Sequence, residues 1–318
     1  MSSKLKICFC KGLTHPAQSH PALAKTASCI PEALNFKTPP PSYLSVTAKS
    51  MQSMHDFMLH RRSFLPALLA GGVALIAGSQ AWAQGSAQAA PIRVAAASDL
   101  KFALAELGAQ FEKQTGLKLA ITFGSSGNLA RQLEQGLPMD VFLSADEALV
   151  FRLAKGGWAR DEGVVYGTGR LAWIVPKDSR AALSPDLKGL TAALGESGKL
   201  SIANPDHAPY GRAARSALQN TGVWPAVQSR LVLGENVSQA TQFVSTGAAQ
   251  VGVVALSLAV APEVAQRTRH GVVDAALHPP IIQRMALHAK APVSAQRFYA
   301  FLQTNTAKAV LSSHGLGQ

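Results

Sequence analysis

Ile92-Arg93-Val94-Ala95-Ala96-Ala97-Ser98-Asp99-Leu100 sets the reading of the whole chain. Ile92–Ala97 is a short apolar run of strand length, and Leu100–Thr115 carries Leu104, Leu107 and Phe111 at helical spacing. The stretch predicts a strand that turns into a helix through Ser98 and Asp99. The same alternation continues downstream. Leu119–Phe123 reads as a strand before a helix at Leu129–Gln135, and Val141–Ser144 as a strand before a helix from Glu147 to Lys155. A second series opens with Leu171–Val175. In it Leu200–Ala203 and Val251–Leu256 read as strands, Ala213–Asn220 and Gln239–Thr246 as helices. A strand near Gln283–Ala289 and a helix at Ala295–Thr304 close the chain. Strands alternating with amphipathic helices predict an α/β fold with largely parallel sheets, and two such series predict two lobes.

Four junctions between strand and helix share one chemical style. They are Ala95-Ala96-Ala97-Ser98-Asp99, Phe123-Gly124-Ser125-Ser126-Gly127-Asn128, Asn204-Pro205-Asp206-His207-Ala208-Pro209-Tyr210-Gly211 and Gly234-Glu235-Asn236-Val237-Ser238. Each puts small or hydroxyl residues where a helix begins. A helix start carries unpaired N–H groups and partial positive charge, so it favours an anion. In an open α/β sheet these junctions fall at the carboxyl ends of the strands, where ligands bind. Taken singly, each junction also reads as an ordinary cap or turn, since Ser and Asn are common caps and Gly a common turn residue. Four together, two per series, outline a cleft that surrounds an anion with backbone donors and hydroxyls.

Composition narrows the classes. The formal net charge is +12, but residues 1–83 carry 8 Lys+Arg against 2 Asp+Glu and the remainder 22 against 16. Half of the excess thus lies ahead of the α/β region, whose charges are scattered, and nothing there resembles a nucleic-acid footprint. Cys8, Cys10 and Cys29 are the only cysteines, so the α/β region has no disulfide framework, Cys-based zinc site or thiol nucleophile. Gly124-Ser125-Ser126-Gly127 lacks the Gly-Lys-Ser/Thr ending of a phosphate loop, and no Gly-x-Ser-x-Gly elbow occurs. Asp99 and Asp146 read as helix caps, Asp206 and His207 as capping or exposed, and Arg131 as a solvated helix face.

Ahead of the α/β region, residues 1–50 have no periodicity and are rich in Ser, Pro, Ala and Lys, as in Pro39-Pro40-Pro41-Ser42. They are expected to be a disordered leader or a mis-called start, with Met51, Met54 and Met58 as alternative starts. Arg61-Arg62-Ser63-Phe64-Leu65 then opens an apolar run that ends at Ala81-Trp82-Ala83. That order, charged then apolar then small, is an export signal over 51–83, twin-arginine-like and expected to be cleaved near Ala83. The run is short for a membrane span, so an exported, periplasmic protein is expected.

The junction motifs also carry a family resemblance. Val94-Ala95-Ala96-Ala97-Ser98-Asp99-Leu100, Phe123-Gly124-Ser125-Ser126-Gly127-Asn128-Leu129-Ala130-Arg131-Gln132 and Pro138-Met139-Asp140-Val141-Phe142-Leu143-Ser144-Ala145-Asp146 resemble, in order, the periplasmic molybdate-binding proteins of ABC importers. Ala203-Asn204-Pro205, Ala208-Pro209-Tyr210-Gly211 and Gly234-Glu235-Asn236-Val237 resemble their second lobe. The resemblance spans about Ile92 to Gly315. It implies a type II periplasmic-binding-protein fold: lobe I over 84–169 and 285–318, lobe II over 170–284, and two crossing strands near Arg170 and Met285. It also implies a monomer that takes molybdate or tungstate between the lobes and delivers it to a membrane permease. No catalysis, cofactor or metal-cation ligand is implied.

Carried over residue by residue, the ligand hydroxyls fall on Ser98 and Ser126, and backbone donors on Ser98, Ser126, Tyr210 and Val237. One branch of the family places a ligand-contacting Tyr where this chain has Ala255; the Ala-Pro-Tyr-Gly branch implies that Tyr210 supplies the phenol instead. Such a cage consists of donors only. Two other readings stand beside this one. One is a binding protein for sulfate or another oxyanion, whose shorter bonds to oxygen suit a smaller cage. The other is an exported two-lobed enzyme acting on a phosphorylated substrate, for which the sequence offers no convincing general base.

Overall fold

The computed structural model describes residues 90–317. The leader, the export signal and the cleavage point near Ala83 lie outside the described residues. Among the described residues, ten strands form two five-stranded sheets. The first sheet contains β1 (Ile92–Ala97), β2 (Leu119–Gly124), β3 (Val141–Ser144), β4 (Val164–Gly169) and β10 (Ile281–Leu287), in the order β2-β1-β3-β10-β4. The second contains β5 (Leu171–Pro176), β6 (Leu200–Ala203), β7 (Leu231–Gly234), β8 (Val251–Ala255) and β9 (Thr268–Val272), in the order β7-β6-β8-β5-β9.

The two sheets repeat one plan. Three neighbouring strands pair in parallel, and a fourth, antiparallel strand joins them to the fifth. The antiparallel strands are β5 and β10, each of which has just arrived from the other sheet. The first crossing is a single residue, Arg170, between β4 and β5. The second ends at Ile281, which pairs with Gly169, so β10 enters the first sheet four residues ahead of the boundary read near Met285. The alternation of buried and half-buried residues in β10 explains the shift: Ile281, Gln283 and Met285 already face inward.

The helices are α1 (Lys101–Thr115), α2 (Ser126–Glu134), α3 (Glu147–Lys155), α4 (Leu190–Leu194), α5 (Pro209–Asn220), α6 (Trp224–Val227), α7 (Val237–Ser245), α8 (Leu256–Ala259), α9 (Pro262–Ala265), α10 (Val293–Phe301) and α11 (Asn305–Ser313). None among the described residues is long and apolar enough to cross a membrane. Leu104, Leu107 and Phe111 of α1 are buried on the first sheet with Phe298 and Phe301 of α10, and the Phe111 and Phe298 rings meet edge to face at 5.1 Å. Leu129 and Leu133 of α2 and Val150 and Leu153 of α3 cover the other face. The second sheet centres on Trp173 of β5, which is fully buried and donates its indole N–H to Ser184 O at 3.0 Å. With each sheet covered by helices, the polar junctions at the strand ends are what remains to face the cleft.

Three helices start earlier than their apolar periodicity indicates. α2 begins at Ser126 rather than Leu129, α5 at Pro209 rather than Ala213, and α7 at Val237 rather than Gln239. In each case the first turn holds Ser, Gly, Pro or Val where a core-facing helix would show a leucine stripe. Those first turns are the junctions singled out above.

Candidate functional site

Ser98, Ser126, Tyr210 and Val237 line one cavity, together with Asp99, Gly124, Ser125, Ala145, Ala208 and Pro209. Each residue arrives there by a local rule. Ser98 opens a 3-10 turn at the end of β1 that leads into α1. Ser126 is the first residue of α2, whose cap is Ser125, its hydroxyl accepting from Asn128 N at 3.4 Å. Tyr210 follows Pro209 in the first turn of α5, and Pro suits a first turn because that position needs no N–H partner. Val237 is the first residue of α7, capped by Asn236, whose side chain accepts from Gln239 N at 3.1 Å.

Four helical starts, two from each sheet, therefore meet at one space. Among the described residues no Lys or Arg lines it. The room is small, about 10 Å³, near the minimum for one water, because the lobes are drawn together. The two serine hydroxyls are oriented by what they accept: Ser126 Oγ from Ala145 N at 2.9 Å, and Ser98 Oγ from Ser238 N of the other lobe at 3.3 Å. With a lone pair of each tied to a backbone N–H, each hydroxyl hydrogen is left to donate.

The lobes also meet at a latch that the sequence reading did not contain. His207 is not a cap or an exposed residue; its O accepts from Gly127 N at 3.0 Å, and its Nδ1 lies 2.8 Å from Ser125 Oγ. Its Nε2 lies 3.5 Å from Glu235, which in turn accepts from the Asn128 side chain. Arg131 donates to Asn128 Oδ1 from the exposed face of α2 and does not line the cavity. Asp146 caps α3 as read, accepting from Ala148 N at 2.9 Å, and pairs with Arg212 across the cleft.

Two expectations are corrected. The Tyr210 phenol, expected to face the ligand, is instead bonded within the protein: it donates to Asp99 Oδ2 at 2.9 Å and accepts from Gln283 Nε2 at 2.9 Å. Asp99 is not a cap either. The turn that begins at Ser98 has no side-chain cap, and Asp99 is buried, with Oδ2 also accepting from Gln283 Nε2 at 2.6 Å. The lining of the cavity is thus not donors alone. Gln283, at an inward position of β10, was missed; an amide between the apolar inward positions Ile281 and Met285 was its one signal.

Burial pushes the Asp99 carboxyl up to about 6, against the downward pull of its bonds to Gln283 and Tyr210. Burial, and then the charge of Asp99, pushes the Tyr210 phenol well above its ordinary value. The sign for stability follows. An acid whose value is raised by folding is most favourable below the unfolded value, 3.8, and that contribution is lost as pH rises through about 6. Asp99→Asn should therefore be more stable than the wild type at pH 7, by on the order of 1–3 kcal/mol. The gain should fade to nothing below about pH 4. Thermal unfolding of both proteins across this range checks it, and a gain independent of pH would refute the assignment to ionisation.

The fold and the site define a two-lobed binding protein in which helix starts from both lobes converge on a small polar cavity. The chain belongs to the bacterial extracellular solute-binding protein family, whose model matches residues 92–317. It is 40% identical over 186 residues to the molybdate-binding protein ModA of Azotobacter vinelandii, a match covering 58% of this chain and 71% of the relative. It is 32% identical over 237 residues to ModA of Rhodobacter capsulatus, covering 72% and 89%. The solved periplasmic molybdate-binding protein of Azotobacter vinelandii superposes with a TM-score of 0.64 at 29% identity, covering 71% of this chain and 99% of that one. Among the described residues no cluster of His, Cys, Asp or Glu could hold a metal ion.

Proposed function

We propose that this protein is a periplasmic binding protein, not an enzyme, that captures molybdate between its lobes and presents it to the permease of an ABC importer. The observation that carries the reading is the convergence of four helical starts, two per lobe, on a cavity lined by no cation. Its relatives named as molybdate-binding proteins supply the choice of anion. Export by way of the signal over 51–83, action as a monomer and acceptance of tungstate belong to the same proposal.

The mechanism follows from the geometry. Backbone N–H groups of Ser98, Ser126, Tyr210 and Val237 and the hydroxyls of Ser98 and Ser126 donate to the oxygens of the anion. Hydrogen bonds to a charged acceptor contribute about 1.5–3 kcal/mol each, so several hold a dianion without Lys or Arg. Fixed donors also discriminate by size, since molybdenum–oxygen bonds are longer than sulfur–oxygen bonds. Donors from both lobes make closure depend on the ligand: the two backbone crossings, at Arg170 and between β9 and β10, act as the hinge.

Solution scattering tests the closure. The radius of gyration of anion-free protein should fall on saturation with molybdate, and an unchanged value would refute a hinge that closes on the ligand. Arg131→Ala tests the neutral cage. It should weaken binding less than loss of either serine, about 0–1 kcal/mol, and chiefly at low salt.

A further inference from the structure

The cavity that suits an anion contains a carboxyl group. Asp99 is 1% exposed, lines the cavity and has one oxygen, Oδ1, with no hydrogen-bond partner. Its other oxygen accepts from Tyr210 of the second lobe and Gln283 of β10. A dianion and an ionised carboxylate cannot share a site closed from water without severe repulsion, because charges of like sign interact far more strongly there than in solvent.

We propose that Asp99 stands in the anion-filled site as a neutral carboxylic acid, with its proton on Oδ1, so that capture of one oxyanion draws up to one proton from solvent. The inference rests on the proposed function. Protonation turns this partnerless side-chain acceptor of the lining into a donor. Oδ2 keeps both of its bonds, so the Tyr210 and Gln283 contacts that tie the lobes together are retained. Asp99 is thus a ligand-facing donor that couples closure, charge and pH.

Other groups near Asp99 do not supply this proton. Tyr166 of β4 and Tyr210 of α5 are both held well above their ordinary values by burial and stay neutral. Helices α7 and α8, which pack on its turn, contain no titratable side chain, and Ser257 of α8 only donates its hydroxyl to Asp99 O at 2.9 Å. Lys101, at the start of α1, is exposed. Arg284, the charged residue of β10, is paired with Glu147 at 3.0 Å. His207, whose ring lies against Ser125 of the cavity lining, is a further titratable group and serves as the control.

Burial already favours the protonated form of Asp99, and an adjacent dianion favours it further. Above about pH 6 the carboxyl is therefore charged in the empty protein and neutral in the filled one. Linkage then requires affinity to fall as pH rises, by at most about tenfold per pH unit for one proton. Molybdate stays a dianion between pH 6.5 and 8.5, so the ligand contributes no slope of its own.

The test is calorimetric titration with molybdate at pH 7.5 in buffers of different ionisation enthalpy, on the wild type, Asp99→Asn and His207→Gln. We expect the wild type to take up between about 0.5 and 1 proton per anion, His207→Gln, which loses a latch contact and binds more weakly, to take up the same count per anion bound, and Asp99→Asn to bind with none and with affinity flat in pH. Binding of molybdate by the wild type without proton uptake overturns the inference and leaves the proposed function intact. Uptake that persists in Asp99→Asn, or vanishes in His207→Gln, overturns it as well. If Asp99→Asn fails to fold, the counts for the wild type and His207→Gln decide. If molybdate, tungstate and sulfate all fail to bind, the proposed function falls and this inference with it.

Discussion

Gly127→Ala should bind molybdate at least about 100-fold more weakly than the wild type while unfolding at the same temperature or slightly higher. A Cβ on residue 127 would lie 2.4 Å from His207 O and 3.2 Å from its carbonyl carbon, all backbone of the opposite lobe. Gly127 N donates to that same oxygen at 3.0 Å, so backbone of the α2 start lies directly against backbone of the loop before α5. No side chain can swing aside to make room. The lobes would stop short of closure, and the N–H groups of Tyr210 and Val237 would be held away from an anion seated on Ser98 and Ser126. Losing two donors to a charged oxygen at about 1.5–3 kcal/mol each gives a deficit of roughly 10² to 10⁴. Residue 127 is helical, and Ala suits a helix better than Gly, so the open protein should gain rather than lose stability. Calorimetry for affinity and thermal unfolding of the anion-free protein separate the two effects. Near-normal affinity would show that filling the site does not require this contact.

The second large effect is expected from Ser98→Ala combined with Ser126→Ala. Each hydroxyl should contribute about 1–3 kcal/mol as a donor to a charged oxygen, so the pair removed together should weaken binding by about 100-fold or more. The costs need not add, because both groups serve one ligand. Ser126 is not the cap of α2, since that role belongs to Ser125, so Ser126→Ala spares helix stability. Ser98→Ala also removes the acceptor for Ser238 N, an interlobe bond at 3.3 Å. Ligand-induced thermal stabilisation reports the donor loss, and the melting temperature of the anion-free protein reports everything else. Binding unchanged in the double variant would place the anion elsewhere.

Much of this was legible in the sequence because strands and helices announce themselves by period. Ile92–Ala97, Val141–Ser144 and Leu200–Ala203 appear as read. The starts of α2, α5 and α7 were read late for a physical reason: a helix end built to face a ligand shows no apolar stripe in its first turn. β4, with three residues other than its valines and tyrosine being Gly or Thr, and β9, Thr-Arg-His-Gly-Val, carried too little apolar pattern to be recognised as strands. At the site, the four predicted residues share one cavity because strand order fixes where each junction lies. What the sequence concealed depends on contacts across the cleft. Asp99 looks like a cap until Tyr210 and Gln283, 111 and 184 residues away, are seen on its carboxyl. His207 looks incidental until Ser125 and Gly127 are found against it.

The central claim is that converging helix starts hold a molybdate-sized anion without a cation. Calorimetric titration of the purified, anion-free protein with molybdate, sulfate and phosphate tests it most directly. The account predicts saturable binding of one molybdate per chain, with sulfate and phosphate weaker by about 100-fold or more, as expected when fixed donors lose their fit to a shorter bond. Sulfate or phosphate bound as tightly as molybdate, or no heat and no thermal stabilisation with molybdate, would contradict it.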